Sequence, residues 1–343
     1  MDAWNVLGLA VYPYGTVLAA ASLIALLWAA WQMQHAGLKD GCGSWFALFC
    51  VPLAFLFSRL LFCLMILDEI AGLSQPEMII QFSSGGYLLW GAVGGALLAG
   101  WLTSRLRKES VGDILDCLIL PACFLIVVGR IAGGFIAEQD IGLDLASWFS
   151  PEETEWSARY SLFPFAGYEA LARFPFAVTN YYGEYCWAVF MLEAVWTVIC
   201  GWVSQRTQAR SGGRTVRFLL WFACGQVLME AMLRGEVVHL PYLGFVRANQ
   251  IVCAVVILII WKLCLSGVPK AERRKAGIVS FLQILLGILI VVLMEFAAFE
   301  KKITLIDWMP ADVCHLVMAL GCLLMGLAIR PLWRKRFQSG ILQ

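Results

Sequence analysis

The sequence predicts an all-α polytopic membrane protein, and three observations carry that prediction. Of the 343 residues, 61% are hydrophobic and only 14% are charged, where soluble domains carry nearer a quarter charged residues. Apolar runs of spanning length recur along the chain. Basic residues gather in alternate connections between those runs, as loops on one face of a membrane do.

A sliding hydropathy window of about 19 residues gives about nine transmembrane helices. They fall near 12–33, 44–66, 79–103, 113–134, 184–204, 216–233, 247–266, 277–298 and 311–329. The first follows "MDAWNVLGLAVYPYG", which has neither a basic start nor a small-residue cleavage site, so it is expected to remain as a span. Arg105, Arg107 and Lys108 follow the third run, and Arg206, Arg210, Arg214 and Arg217 surround the connection after the fifth. Lys262, Lys270, Arg273, Arg274 and Lys275 mark the end of the seventh, and Arg330, Arg334, Lys335 and Arg336 close the ninth. The intervening loops are acidic or sparse, so the expected orientation has the N-terminus outside and the C-terminus cytoplasmic. The longest connection, about 135–182, then faces outward. Its aromatic part, "YSLFPFAGYEALARFPFAVTNYYGEY", suits a cap lying at the headgroup level.

Other classes are weakened on simple grounds. The net charge of +1 gives no bias toward nucleic acid. Most of the 12 cysteines sit inside apolar runs, where Cys acts as a small hydrophobe, and no CxxC pair occurs. Neither a metal site nor a cofactor is expected.

The informative residues are charges inside spans. A buried arginine costs several kcal/mol in hydrocarbon and needs a partner or an aqueous cavity. Arg130, in "VVGRIAGGFIAEQDIG", stands near the outer end of the fourth span beside a glycine-rich turn. The sixth span carries Gln226, Glu230 and Arg234 four residues apart, one polar stripe along a helix face. Arg59 and Glu193 add charges to two other spans. Glu230 or its neighbours should therefore face Arg130, with Tyr14 and Gln250 nearby. A purely structural ion-pair network remains the alternative.

The order of these motifs resembles the prolipoprotein diacylglyceryl transferase family of bacterial inner-membrane enzymes. Tyr14–Gly15 resemble the Tyr-Gly that opens its first span, and Arg59 in "FSRLLF" resembles an arginine of its second. "GGYLLWG", with Gly85, Gly86 and Gly91, resembles its Gly-Gly-x3-His-Gly. "GRIAGGFIAEQDIG" is similar to the family signature Gly-Arg-Ile-Gly-Asn-Phe and its following Asn and Glu. Glu193, the Glu230–Arg234 pair, and "VRANQ" with Arg247 and Gln250 resemble three later motifs. The similarity covers about residues 10–266, so the expected organisation is a seven-helix transferase-like core over 1–266, with its outer cap, and a two-helix segment over 267–343.

The resemblance implies transfer of diacylglyceryl from phosphatidylglycerol to a lipoprotein cysteine thiol at the outer leaflet of the bacterial cytoplasmic membrane. It implies Arg130, Glu230 and Arg234 as catalytic residues, the arginines gripping phosphate through planar forks. Tyr14, Arg59, Gly85, Gly86, Trp90, Glu193, Gln226 and Gln250 would form the lipid-binding surround. Departures are plain. The family histidine falls on Trp90, which cannot accept a proton, and an arginine one turn before the Glu of the sixth span is replaced by Gln226. The signature asparagines fall on Gly133 or Gly134 and on Ala137. His239, in the outer loop after Arg234, is a candidate replacement base because imidazole titrates near neutral pH. Two other classes stay open: a non-catalytic phospholipid-binding or assembly protein on the same fold, and a small-solute transporter. The transporter reading lacks the internal repeats such proteins usually show.

Overall fold

The computed structural model describes residues 4–6, 9–11, 13–65, 86–135, 175–179, 185–232, 239–240, 243–299 and 308–339. Among the described residues ten helices carry the fold: α1 Pro13–His35, α2 Cys42–Met65, α3 Leu89–Arg107, α4 Val111–Cys117, α5 Ile119–Phe135, α6 Val189–Gln205, α7 Gly213–Met232, α8 Ala248–Leu265, α9 Lys270–Phe299 and α10 Ala311–Phe337. Three short antiparallel hairpins accompany them. They are β1 Trp4–Val6 with β2 Leu9–Val11, β3 Ala177–Thr179 with β4 Tyr185–Trp187, and β5 His239–Leu240 with β6 Leu243–Arg247. Hairpins lead into α1 and α6 and join α7 to α8.

Each expected span coincides with a helix or with the α4–α5 pair. Among the described residues six helices are long and apolar enough to cross a membrane, and a seventh span results if α4 and α5, bent by 42°, are one crossing. α6 is apolar but only 17 residues long, and α3 is diluted by glycine and tryptophan. Two expected starts shift: α3 begins at Leu89 rather than 79, and α6 at Val189, because strand β4 occupies Tyr185–Trp187. Residues 66–85 and most of the expected cap over 135–182 lie outside the described residues.

Lipid-facing surface shows as exposed apolar side chains, with Leu23, Leu27 and Trp31 on α1 and Leu282, Leu285 and Leu289 on α9. Packing between helices relies on small residues, since lipid tails are as apolar as Leu and give no hydrophobic push. Gly91 and Gly95 of α3 lie against the α2 backbone, where a Cβ would stand 2.4 Å from the carbonyl oxygens of Phe57 and Leu53. The largest buried cluster gathers Phe222 of α7, Ile257 of α8, Ile284 of α9 and Ile329 of α10, so the last two helices share one core with those before them. The 11 cysteines whose side chains are described are free, and all but Cys50 are buried.

At one end of the bundle a chain of contacts ties the basic connections together. Lys39 pairs with Glu109 at 3.4 Å, and Ser110 bonds Ser211 at 2.6 Å. The Arg210 amide donates to Phe337, and Arg336 donates to Ser266. Asp116, at the end of α4, accepts from the Gly212 amide at 3.0 Å and from the Thr215 amide and hydroxyl at 2.8 and 2.7 Å. It thereby satisfies donors that the first turn of α7 leaves without helical partners. All four basic loops thus share one end of the molecule.

Candidate functional site

The polar cluster forms at the other end. The C-terminal half of α5 brings Arg130 there, the first turns of α6 bring Glu193, and the last turns of α7 bring Gln226 and Glu230. Arg130 Nε lies 3.0 Å from Glu193 Oε2, and its Nη2 donates to Gln226 Oε1 at 3.3 Å. Glu193 and Gln226 are fully buried, while the Arg130 side chain keeps 13% exposure. Gln226, the neighbour of Glu230 on its stripe, thus faces Arg130, and Glu193 of α6 pairs with it as well. The α5–α6 packing explains this: Gly134 makes room for the Phe190 ring, which draws the start of α6 against α5.

Glu230 sits one turn beyond Gln226 and is likewise buried. Its Oε1 accepts from the Asn249 amide, its backbone carbonyl accepts from Arg247 Nη1, and Arg130 and Arg247 both stand close enough to act electrostatically on its carboxylate. Two polar atoms of this stripe, Gln226 Nε2 and Glu230 Oε2, are buried with no hydrogen-bond partner among the described residues. One is a donor and one an acceptor, a turn apart on one face. A buried polar atom left unpaired costs about 1–3 kcal/mol, so such a pair belongs where a ligand or water completes the bonding.

A second layer comes from α8 and α9. Gln250 accepts from the Arg247 amide at 3.2 Å and donates to the Val227 carbonyl at 3.3 Å. Its Nε2 also lies 3.1 Å from each carboxylate oxygen of Glu295, a buried acid on α9. His315 of α10 is buried too, and Arg247 stands close enough to act on it electrostatically. Glu295, His315 and Asn249 were not singled out by the sequence as site residues. A lone Glu in "VVLMEFAAF" was the available signal, because an ionisable residue within a span is a functional candidate by default.

The remaining expected residues stand as follows. Tyr14 is the second residue of α1, one turn before Leu18, whose methyl lies against Gly129. Arg59 is buried on α2, donates to the Gly86 carbonyl at 3.2 Å, and stacks over Phe62 and Tyr87 at 5.6 and 5.9 Å. Gly86 has φ +77°, and a Cβ there would collide with the Phe62 ring, so glycine lets the carbonyl turn to Arg59. Trp90 is buried against Phe222 with ring centroids 5.6 Å apart, and the Cys253 thiol faces its indole. Its place is apolar core. Strand pairing sets the His239 backbone opposite Arg247, which brings that position to the rim of the cluster. Gly85 and Arg234 lie outside the described residues. Among the described residues no group of three or more His, Cys, Asp or Glu side chains could hold a metal ion.

The family model described as prolipoprotein diacylglyceryl transferase matches residues 2–265, which takes in α1 to α8. Similar relatives include the phosphatidylglycerol–prolipoprotein diacylglyceryl transferase of Bacillus velezensis, 24% identical over 259 residues, covering 74% of this chain and 87% of that protein. Those of Halalkalibacterium halodurans and Listeria innocua are 21% and 22% identical, covering 73% and 78% of this chain and 81% and 91% of theirs. With more than half of its length matched, this multi-pass membrane protein belongs to the prolipoprotein diacylglyceryl transferase family.

Proposed function

We propose that the chain transfers diacylglyceryl from a phosphatidylglycerol-like donor to the thiol of a lipobox cysteine. The observation that carries this reading is Arg130, fixed by Glu193 and Gln226 beside the unpaired oxygen of Glu230. In the reaction the cysteine sulfur forms a bond to the terminal glyceryl carbon. The bond from that carbon to the phosphate oxygen breaks, and glycerol phosphate leaves with the electron pair. The thiol proton must pass to a base. Arg130 would take charge as it develops on the departing phosphate, which is where a positioned cation lowers a barrier. A guanidinium already oriented by two partners needs little reorganisation.

Glu230 Oε2 is the proton acceptor in this reading. Asn249 holds the other oxygen, leaving Oε2 toward the site, and Trp90 removes the imidazole that the family resemblance would supply. His239 is the second candidate base, on the strength of its strand pairing with Arg247. The positive end of the bundle, carrying the four basic loops, would face the cytoplasm. The site would then open to the outer leaflet of the bacterial cytoplasmic membrane.

One observation favours a different reading, a phospholipid-binding protein without turnover: Trp90, at the family histidine, is packed into core. Headgroup release separates the two. Purified protein is given phosphatidylglycerol labelled in its headgroup and a lipobox peptide. Labelled glycerol phosphate should appear with wild type and vanish in Arg130→Ala and Glu230→Gln. Lipid retention without any release, in wild type, would leave the binding reading in place and end the transferase one.

A further inference from the structure

A second feature lies at the basic end, far from the cluster just described. Helices α6, α7 and α10 line a partly open cavity of about 310 Å³ there. Three arginines line it, Arg217, Arg330 and Arg334, together with Trp196, Trp221 and Trp333. Arg217 and Glu230 are 13 positions apart on α7, about 20 Å at 1.5 Å per residue, so the cavity is separate from the polar cluster. Apolar side chains, Ile199, Val203 and Leu220, complete the lining.

The charge balance is one-sided. Arg217 donates to the Thr207 hydroxyl, stands 5.7 Å over the Trp333 ring, and feels the charges of Arg330 and Arg334. None of the three has a carboxylate within ion-pair distance among the described residues. Three like charges held around one hollow repel each other, and an anion would relieve that repulsion. Arg330 and Arg334 are exposed, with their guanidinium groups available. The indole N–H groups of Trp196 and Trp333 are already used, on the Trp221 and Gly213 carbonyls.

The surroundings choose the kind of anion. Beside the cavity, α6 shows Val195, Val198, Ile199 and Trp202 outward, a wall suited to acyl chains. Tryptophan and arginine together at a helix end belong to the headgroup level of a bilayer. Basic pockets between spanning helices are the usual receptors of anionic headgroups. We infer that this cavity binds the phosphate of an anionic phospholipid from the leaflet opposite the Arg130 cluster, with the acyl chains along α6. The inference does not depend on the transfer reaction. It gives α10, which lies beyond the family match, a role in seating the protein in its membrane.

The test is lipid retention by the full-length protein in neutral detergent, read by native mass spectrometry. Phosphatidylglycerol, phosphatidylcholine and inorganic phosphate are added separately. Arg330→Ala/Arg334→Ala should hold one phosphatidylglycerol fewer than wild type. Affinity at that site should fall about 30-fold, each cation near an anionic lipid being worth about fivefold. Arg330→Lys/Arg334→Lys should recover most of it, which also shows that the fold tolerates changes there. Phosphatidylcholine retention should not change, and millimolar inorganic phosphate should not displace the lipid. The loss in Arg130→Ala should add to that in the double alanine variant, since the sites are separate. Equal phosphatidylglycerol retention by wild type and the double alanine variant overturns the inference. So does a matching loss of phosphatidylcholine. Displacement by inorganic phosphate would reassign the cavity to a soluble phosphate and overturn the lipid.

Discussion

The Arg130–Glu193 pair offers the sharpest test, because both partners are identified and the environment differs on the two sides. At 3.0 Å, with an effective dielectric of about 20, their attraction is about 5.5 kcal/mol. Desolvation offsets much of that, so the intact pair adds little net stability. Breaking it is another matter, since removing one partner of a buried pair costs about 3–5 kcal/mol. Arg130→Gln leaves Glu193 fully buried without its cation and should fall in the upper part of that range. Glu193→Gln leaves Arg130 with 13% exposure and its Gln226 contact, and should fall in the lower part. The double variant carries no unpaired charge and should be less destabilised than the sum of the singles by at least about 2 kcal/mol. Equilibrium unfolding in mixed micelles measures the cycle, and glycerol phosphate release measures function. Transfer should be lost in both variants that lack Arg130 and reduced about 10- to 100-fold in Glu193→Gln, where a loosened guanidinium remains. Additivity within about 0.5 kcal/mol would mean the two residues do not act on each other, and the account of the site would fail with it.

Three further outcomes follow from other contacts. Gly95→Ala places a methyl 2.4 Å from the Leu53 carbonyl, a backbone atom that moves only if α2 and α3 separate, so unfolding should ease by about 1–3 kcal/mol. Thermal unfolding of the purified variant checks it, and an unchanged midpoint would contradict the close helix contact. Asp116→Ala removes the acceptor of three donors at the start of α7, with an expected loss of about 2 kcal/mol in the same assay and little effect on lipid retention at the Arg130 end. Glu295→Ala strips the Gln250 amide of its carboxylate and should cost about 1–3 kcal/mol. Transfer should drop as well, because Gln250 also fixes the Arg247 backbone, and Gln250→Glu should not restore it.

The helices were legible because a bilayer imposes a length, and any apolar run of about 20 residues announces a crossing. That same signal is silent about neighbours. Hydropathy located α9 and α10 but gave no hint that Glu295 would reach Gln250, or that Ile284 and Ile329 would enter the core around Phe222. Periodicity gave the Gln226–Glu230 stripe, since a helix face is fixed by spacing alone. The partner of Arg130 needed the α5–α6 contact, which depends on Gly134 admitting Phe190. Asp116 was invisible for a related reason: a carboxylate that caps a helix 96 residues later has no local pattern.

Trp90, the position on which the family resemblance places a histidine, lies in packed core. At the α3 side of the cluster, Trp90 and Phe222 fill the space with rings, and the thiol of Cys253 completes an apolar wall. At the α9–α10 side, Glu295 and His315 bring polar groups that lie outside the family match. The polar centre therefore leans toward the helices that lie beyond the family match, with Arg247, Asn249 and Gln250 of the α8 start as the bridge. Trp90 cannot take a proton in any arrangement, and the unpaired oxygen of Glu230 faces the same interior as Gln226. A proton acceptor in this chain is accordingly sought on α7, where the carboxylate already is, and the neighbours that orient it come from α8 and, behind Gln250, from α9.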